Sequence, residues 1–290
     1  MTLARFEFLS PRSLDEAVDL LAQKGPDAFV MAGGTDLLVK WQHQLIHPRT
    51  IISLKNIVGL NRISFGPRKG LFIGAAALLA EVAANKTIRR VYPAVAAAAA
   101  NTANVQIRNM GTVVGNLCNA SPAADNAPVL LAMKAELRIV SPDGTRDLPL
   151  ENFFVGPGVT ALQPAEIVAS ICVPTPPPGS GAAYLHLSAR GRVDCSAASV
   201  GIFITLKGAR VTEARIFIGA CGPTPLSMHA AADHLKGKTV TATIAADAGR
   251  LAAGESKPIS DVRANQAYRS QMVAVLVKRA ILEAYRLARN

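Results

Sequence analysis

The sequence is poor in aromatic residues and in charge. Only 5 % of its 290 residues are Phe, Trp or Tyr, so Ala, Val, Leu and Ile must build most of the core. Half of the residues are apolar and 18 % are charged. This balance is typical of folded proteins and excludes a disordered chain. The length is sufficient for two domains of roughly 100–200 residues each.

Cysteines are few, and long apolar runs are missing. The four cysteines form no C-x-x-C pair, the spacing that zinc and redox motifs use, so they predict reduced thiols. Ser10 and Pro11 interrupt the amino-terminal segment too early for a signal peptide. No run approaches the roughly 20 apolar residues of a membrane-spanning helix. We therefore expect a cytoplasmic protein without membrane insertion.

The basic residues outnumber the acidic ones, but they do not cluster. The formal net charge is +11, and the Lys and Arg residues are spread along the chain rather than gathered on one element. Nucleic-acid binding requires such a cluster, so the pattern argues against a nucleic-acid partner. The surplus instead favours solubility and attraction to anionic ligands or acidic partners.

The first fifty residues predict a small β-α-β-like lobe. Ser13 and Glu16 have the spacing of a capping box, which predicts a helix from this point. Residues 28–31 and 50–54 are typical of short buried strands, and residues 37–46 are typical of a helix between them.

Further elements follow the same logic along the chain. A run of prolines and glycines at residues 174–181 predicts a stiff linker outside any sheet. Apolar spacings of three and four predict an amphipathic carboxy-terminal helix. Hairpins are predicted at residues 63–73, from residue 135 through the turn at 142–144, and at 198–219. Helices are predicted at 93–103, 126–133, 227–236 and 240–252, and the apolar stripe of the last helix runs from Val273 to Leu287.

Two glycine-bearing segments are candidates for ligand binding: residues 32–36 (AGGTD) and residues 111–116 (GTVVGN). Glycines allow a backbone to approach a ligand, and exposed amide groups can hold phosphate oxygens. Asp125, downstream, could accept hydrogen bonds from a ribose. Neither segment has the G-x-G-x-x-G pattern of a Rossmann domain. Taken singly, each is also typical of an ordinary turn.

In combination these segments resemble a known family. Residues 30–38 (VMAGGTDLL) and 107–125 (IRNMGTVVGNLCNASPAAD) closely resemble the medium, FAD-binding subunit of the xanthine dehydrogenase and carbon monoxide dehydrogenase family of molybdenum hydroxylases. Residues 219–226 (GACGPTPL) and 261–269 (DVRANQAYR) resemble its carboxy-terminal signatures. The resemblance runs nearly end to end.

The resemblance implies an α+β fold in two domains. Residues 1–177 would form a two-lobed PCMH/vanillyl-alcohol-oxidase-type FAD-binding domain, with lobes at about 1–56 and 57–177. Residues 182–290 would form a carboxy-terminal domain with an antiparallel sheet and helices packed against it.

The resemblance also implies a set of cofactor contacts. The two glycine loops would hold the FAD pyrophosphate, Asp125 would contact the adenosine part, and Val168 would touch the flavin. Each also has an ordinary structural interpretation, for instance Val168 as a strand residue. The implied cofactor-binding residues are Val30, Met31, Ala32, Gly33, Gly34, Thr35, Asp36, Leu37, Thr102, Gly111, Thr112, Val114, Gly115, Asn116, Asp125, Val168, Tyr184 and His186.

Two positions depart from the family pattern. His186 lies where relatives often carry a lysine near the flavin, and the charge of a histidine depends on pH near neutrality; it could equally be a plain strand residue. Tyr184 could stack on the flavin or belong to the core. Val114 replaces a common glycine, which predicts that this position does not need a positive φ.

The resemblance implies an oxidoreductase that relays electrons. This chain would bind FAD non-covalently and pass electrons to an external acceptor. A large partner subunit would carry the molybdopterin cofactor and oxidise the substrate, a small one would carry 2Fe-2S clusters, and the assembly would be a dimer of heterotrimers. No residue of this chain is expected to act as a catalytic acid or base, or to bind a metal.

A cluster-binding insertion is not expected. The benzoyl-CoA reductase branch of the family carries extra cysteines for an iron–sulfur cluster, whereas the next cysteine after Cys118 is Cys172. The residues alone are also compatible with two other functions. One is a stand-alone flavoprotein oxidase of the vanillyl-alcohol type, and the other is a flavin-binding module without catalysis of its own.

Overall fold

The computed structural model describes residues 5–188 and 195–289. The strands are β1 Glu7–Leu9, β2 Ala28–Met31, β3 Thr50–Ser53, β4 Ile63–Gly66, β5 Gly70–Gly74, β6 Glu136–Ser141, β7 Gly144–Pro149, β8 Phe154–Gly156, β9 Val159–Thr160, β10 Ile167–Val173, β11 Ser180–Leu187, β12 Ala198–Lys207, β13 Arg210–Gly219 and β14 Leu226–Ser227. The helices are α1 Leu14–Lys24, α2 Leu37–Gln42, α3 Leu79–Ala84, α4 Lys86–Val91, α5 Pro93–Asn101, α6 Val105–Arg108, α7 Val113–Cys118, α8 Asn126–Ala132, α9 His229–Leu235, α10 Ala242–Glu255 and α11 Gln266–Ala288.

The first lobe is a parallel three-stranded sheet in the order β1-β3-β2. Ser13 caps α1 by accepting a hydrogen bond from the Glu16 N–H at 3.1 Å. The expected return bond is displaced, because the Glu16 carboxylate accepts from the N–H of Arg12 instead of that of Ser13. Helix α2 ends four residues earlier than predicted, since Gln44 adopts a φ of 59° that a right-handed helix cannot continue through.

The second lobe is an antiparallel five-stranded sheet in the order β4-β5-β10-β6-β7. The predicted hairpins β4–β5 and β6–β7 both form. The alanine-rich helix α5 packs against α3, α4 and α8, because small side chains let helices approach closely. It ends at Asn101, two residues before the predicted end, where the Thr102 hydroxyl donates to the Ala98 carbonyl at 2.9 Å and Ala103 has a φ of 50°.

The carboxy-terminal part is an antiparallel sheet in the order β11-β12-β13-β14. On one face, Val200, Ile202 and Ile204 of β12 share a core with α9, α10 and α11. On the other face, Phe203 joins the core of the first part of the chain, and α8 packs on β12 and β13. Alternate residues of one strand therefore connect the two cores.

The proline-rich linker is shorter than predicted. Residues 174–179 form no strand or helix, but Ser180 and Gly181 already belong to β11. The prolines stay outside the sheet because they lack the amide donor that a strand needs. After them, an ordinary donor pattern resumes and pairing with β12 begins at once.

The carboxy-terminal helix follows its predicted stripe. Five of the six stripe residues are buried and Leu287 is partly buried; the buried ones are Val273, Leu276, Val277, Ala280 and Ala284. The α+β architecture with two lobes and a second antiparallel domain confirms the predicted fold. Within residues 5–188 and 195–289, no helix is both long and apolar enough to cross a bilayer.

Candidate functional site

A cleft of about 860 Å³ lies between the two lobes. This volume falls within the roughly 300–1,000 Å³ that small-molecule and cofactor sites occupy. Sixteen of the eighteen residues predicted from the sequence line it: Val30, Met31, Ala32, Gly33, Gly34, Thr35, Asp36, Leu37, Thr102, Gly111, Thr112, Val114, Gly115, Asn116, Asp125 and Val168. Tyr184 and His186 do not line the cleft directly.

The two glycine loops touch each other in the wall of the cleft. A β-carbon on Gly33 would stand 2.1 Å from the Met110 carbonyl oxygen, so this approach requires a residue without a side chain. Gly34 adopts a φ of 74°, the left-handed region that glycine reaches without strain. Gly33 is thus required for the close approach of the two loops, and Gly34 for its left-handed backbone conformation.

The first loop presents unused hydrogen-bond donors. Among the described residues, no backbone N–H of residues 32–36 donates a hydrogen bond. Nearly all buried amide groups in proteins find a partner. A row of free amides on a cleft wall therefore suits an anionic ligand such as a phosphate.

The second loop continues this surface. Thr112 caps α7 and accepts a hydrogen bond from the Gly115 N–H at 2.9 Å. Thr112 pairs with Leu78 in an isolated antiparallel bridge, whereas the N–H group of Val114 donates to no other residue in the described part of the chain. Val114 lies within α7 without a positive φ, which confirms that a glycine is not needed there.

Asn126 connects two residues of the cleft wall, Thr102 and Asn116, by hydrogen bonds. It was not among the residues predicted from the sequence. Its Nδ2 donates to Thr102 Oγ1 at 3.1 Å and to Asn116 Oδ1 at 2.9 Å. Its Oδ1 is buried and has no partner among the described residues. Asn119 makes a similar link by donating to Asp36 at 2.9 Å. The signal in the sequence was weak, because a single Asn beside Asp125 is unremarkable without the tertiary contacts.

A buried polar cluster adjoins the cleft at Asp125. Its Oδ1 accepts hydrogen bonds from the Tyr184 hydroxyl at 2.7 Å and the Ser196 hydroxyl at 2.6 Å. Ser196 also lies 3.2 Å from His186 Nδ1. Burial raises the pKa of Asp125, and the two hydroxyl donors partly offset this. Asp125, expected at the adenosine part of the cofactor, and His186, expected near the flavin, are therefore linked through Ser196.

Charged side chains of the cleft wall were not predicted as ligands. Lys40 and Arg263 both line it. Asp261 holds Arg263 by an ion pair at 3.0 Å, so part of the 261–269 signature places a cation at the cleft. Glu166 is engaged by Arg146 at 2.6 Å, and this pairing lowers the pKa of the Glu166 carboxyl.

Comparison with known proteins identifies the family. Residues 4–176 match the family described as FAD binding domain in molybdopterin dehydrogenase. The chain belongs to this family. Residues 183–284 match a second family, the CO dehydrogenase flavoprotein C-terminal domain.

Curated relatives match along nearly the whole chain. The carbon monoxide dehydrogenase medium chain of Hydrogenophaga pseudoflava is 31 % identical, covering 97 % of both chains. The xanthine dehydrogenase FAD-binding subunit of Escherichia coli is 30 % identical, covering 96 % of this chain and 97 % of the relative. A solved carbon monoxide dehydrogenase of Hydrogenophaga pseudoflava superposes with a TM-score of 0.94 and 31 % identity over 99 % of both chains.

The predicted family resemblance is thus confirmed, and so is the assignment to an oxidoreductase with FAD as cofactor. The structure fits that cofactor, since the loop amides and the buried Asn126 Oδ1, which have no partner among the described residues, all lie at or beside one cleft. The cleft thiol of Cys118 has its pKa raised to about 12 by burial and is uncharged at neutral pH. Within the described residues, no group of His, Cys, Asp and Glu is arranged to hold a metal ion.

Proposed function

We propose that the cleft binds FAD non-covalently and that the chain serves as the flavin-bearing electron-transfer subunit of a molybdenum hydroxylase complex. The observation that carries the proposal is the junction of the two glycine loops. Their free N–H groups and the contact between Gly33 and Met110 form one surface on the wall of a cleft of suitable size.

The loops are assigned to the pyrophosphate. The amides of residues 32–36, together with that of Val114 in the first turn of α7, would donate to the phosphate oxygens. Lys40 lies one helical turn beyond Asp36 and would offset part of the phosphate charge. Burial raises the pKa of Asp36, and the positive charge of nearby Lys40 partly offsets this. The two side chains therefore interact electrostatically.

The family resemblance implied that Asp125 contacts the adenosine part; we instead assign the cluster around Asp125 to the flavin end. Val168 lines the cleft, and Asp125 is joined through Ser196 to His186. Because Tyr184 and His186 stand behind Asp125 rather than on the cleft wall, we assign them to supporting contacts. Thr102 is held by Asn126 at the same wall.

The chain itself supplies position and electrostatics. When bound, FAD accepts one or two electrons and so suits the transfer between one-electron clusters and a two-electron acceptor. The loops fix the cofactor by its phosphates, and Asp125 offers an acceptor to a donor group of the cofactor. No side chain of the cleft is assigned as a catalytic acid or base.

The partners follow from the family. Relatives are named as medium chains, which implies a large and a small subunit. We propose that the large one carries the molybdopterin cofactor, the small one carries 2Fe-2S clusters, and the assembly is a dimer of heterotrimers. Relatives named for carbon monoxide and for xanthine resemble this chain to the same degree, which supports a shared task in electron transfer rather than in substrate recognition.

The domain limits and the location complete the proposal. We assign residues 1–177 to FAD binding and residues 182–290 to the carboxy-terminal domain, a division supported by the separate family matches. We assign the protein to the cytoplasm, where its four free cysteines would stay reduced.

An absorption spectrum and a purification test this function. The purified full chain, reconstituted with FAD and freed of excess, is expected to retain about one FAD per chain without covalent attachment. Purification from the native host is expected to bring down subunits containing molybdenum and iron. A chain that binds no flavin, or that is recovered alone, would contradict the proposal.

A further inference from the structure

Ser196 lies at the centre of the buried cluster beside the cleft. Only 1 % of its surface is exposed. Its hydroxyl donates to Asp125 Oδ1 at 2.6 Å and lies 3.2 Å from His186 Nδ1. The Tyr184 hydroxyl donates to the same carboxylate oxygen at 2.7 Å. Asp125 Oδ1 is therefore occupied by two donors.

The single proton of Ser196 determines the form of His186. A hydroxyl group carries one hydrogen to donate. Because Ser196 donates it to Asp125, Ser196 can only accept a hydrogen bond from His186. Neutral His186 must then carry its proton on Nδ1, which leaves Nε2 without one. The Tyr184 ring lies nearly parallel to the imidazole, with centroids 6.1 Å apart.

Asp125 has a second oxygen with a different environment. The residue is 7 % exposed and lines the cleft. No described residue makes a hydrogen bond to its Oδ2. A buried carboxylate is costly unless donors satisfy it. With Oδ1 held from behind, Oδ2 is available to a hydroxyl or N–H donor of a ligand in the cleft.

We propose that Ser196 is a positioning residue of the cofactor site. Its hydroxyl orients the Asp125 carboxylate towards a hydroxyl or N–H group of FAD and holds His186 in the tautomer protonated on Nδ1. The inference rests on the proposed function of the cleft. It assigns a role to a residue that neither the motifs nor the glycine loops indicated.

Ser199 offers a matched control. It is also a serine with 1 % exposure, and it pairs with His186 across β11 and β12. Its hydroxyl has no hydrogen-bond partner among the described residues. Ser196→Ala and Ser199→Ala therefore make the same chemical change at neighbouring buried positions, and only the first removes hydrogen bonds.

The experiment measures the FAD dissociation constant and the His186 tautomer in the full chain. The tautomer is read from the imidazole nitrogen and carbon NMR shifts of histidine-labelled protein, with His186→Gln to assign the signal. Ser196→Ala is expected to weaken FAD binding about tenfold, as for loss of a hydrogen bond to a charged group, and to remove the preference for Nδ1–H. Ser199→Ala is expected to stay within twofold and to keep the tautomer.

The outcomes separate the inference from the function. If the wild-type chain binds no FAD, the proposed function fails, and the tautomer still tests the hydrogen-bond arrangement. If it binds FAD but Ser196→Ala changes neither affinity nor tautomer, or only one of them, the inference is overturned. If Ser196→Ala does not fold, the NMR spectrum of the wild-type chain tests the proposal. A neutral His186 that is protonated on Nε2 and not on Nδ1 would contradict it.

Discussion

Gly33 and Met110 stand in direct backbone contact, so that a β-carbon on Gly33 would lie 2.1 Å from the Met110 carbonyl oxygen. The two residues are far apart in sequence. Gly33 belongs to the first glycine loop, and Met110 directly precedes the second. Their contact makes one surface out of two segments that, taken singly, are typical of ordinary turns. The candidate binding surface therefore consists of both loops together.

Gly34 allows a test of the loop conformation. Its φ of 74° would cost an alanine roughly 1–2 kcal/mol, by the ordinary penalty for left-handed backbone. We expect Gly34→Ala to weaken FAD binding at least about tenfold, because relief of the strain would reorient the adjacent N–H groups. Titration of FAD into the variant, followed by flavin fluorescence, measures the change.

Gly59 is the control for that variant. It has a φ of 81° with open space around it, and it does not line the cleft. Gly59→Ala is expected to lower stability to a similar extent while leaving FAD affinity unchanged. Equal loss of affinity in both variants would show that general destabilisation, not loop geometry, is responsible.

Lys40 is expected to act through charge. Replacing Lys40 with Gln should raise the FAD dissociation constant about fivefold at low ionic strength, since roughly 1 kcal/mol of attraction to the phosphates is lost. The difference should shrink as salt is added, because exposed charges are screened. Lys69→Gln, in the β4–β5 turn, is the charge-matched control. A salt-independent effect at Lys40 would point to packing instead.

Asp261 is expected to support stability in a pH-dependent manner. It accepts hydrogen bonds from the Arg263 N–H at 2.8 Å and from the buried Arg269 guanidinium at 2.5 Å. The Arg263 N–H and the Arg269 guanidinium favour the carboxylate, and the pKa of Asp261 falls from 3.8 to about 2. Asp261→Asn should lower the free energy of unfolding by about 1–2 kcal/mol at neutral pH, as for loss of hydrogen bonds to a charged group.

The pH range of that effect follows from the direction of the shift. A carboxyl with a lowered pKa stabilises the folded state fully above its unfolded value, and the contribution is lost as pH falls through the folded value. The difference between wild type and Asp261→Asn should therefore persist down to about pH 4 and diminish towards pH 2. Urea unfolding at several pH values measures it, and a difference that stays constant down to pH 2 would exclude this carboxylate as the cause.

Much of the fold was predictable because local patterns agree with it. The β6–β7 and β12–β13 hairpins, the caps of α1 and the stripe of α11 all depend on residues close together in sequence. Errors occurred where a single backbone angle decides an end, as at Gln44 and Ala103, both non-glycine residues with positive φ. Such conformations are rare and leave no pattern in the composition.

The sequence by itself determined the family, the two glycine loops and sixteen residues of the cleft, because recurring short motifs specify local backbone geometry. Only the tertiary structure decided how distant side chains combine. It placed Asp125 against Ser196, joined Thr102 to Asn116 through Asn126, and brought Arg263 to the wall. These contacts link residues on different elements, and their distances are set by how α8, β11 and the carboxy-terminal segments pack. A pattern along one chain does not contain that information.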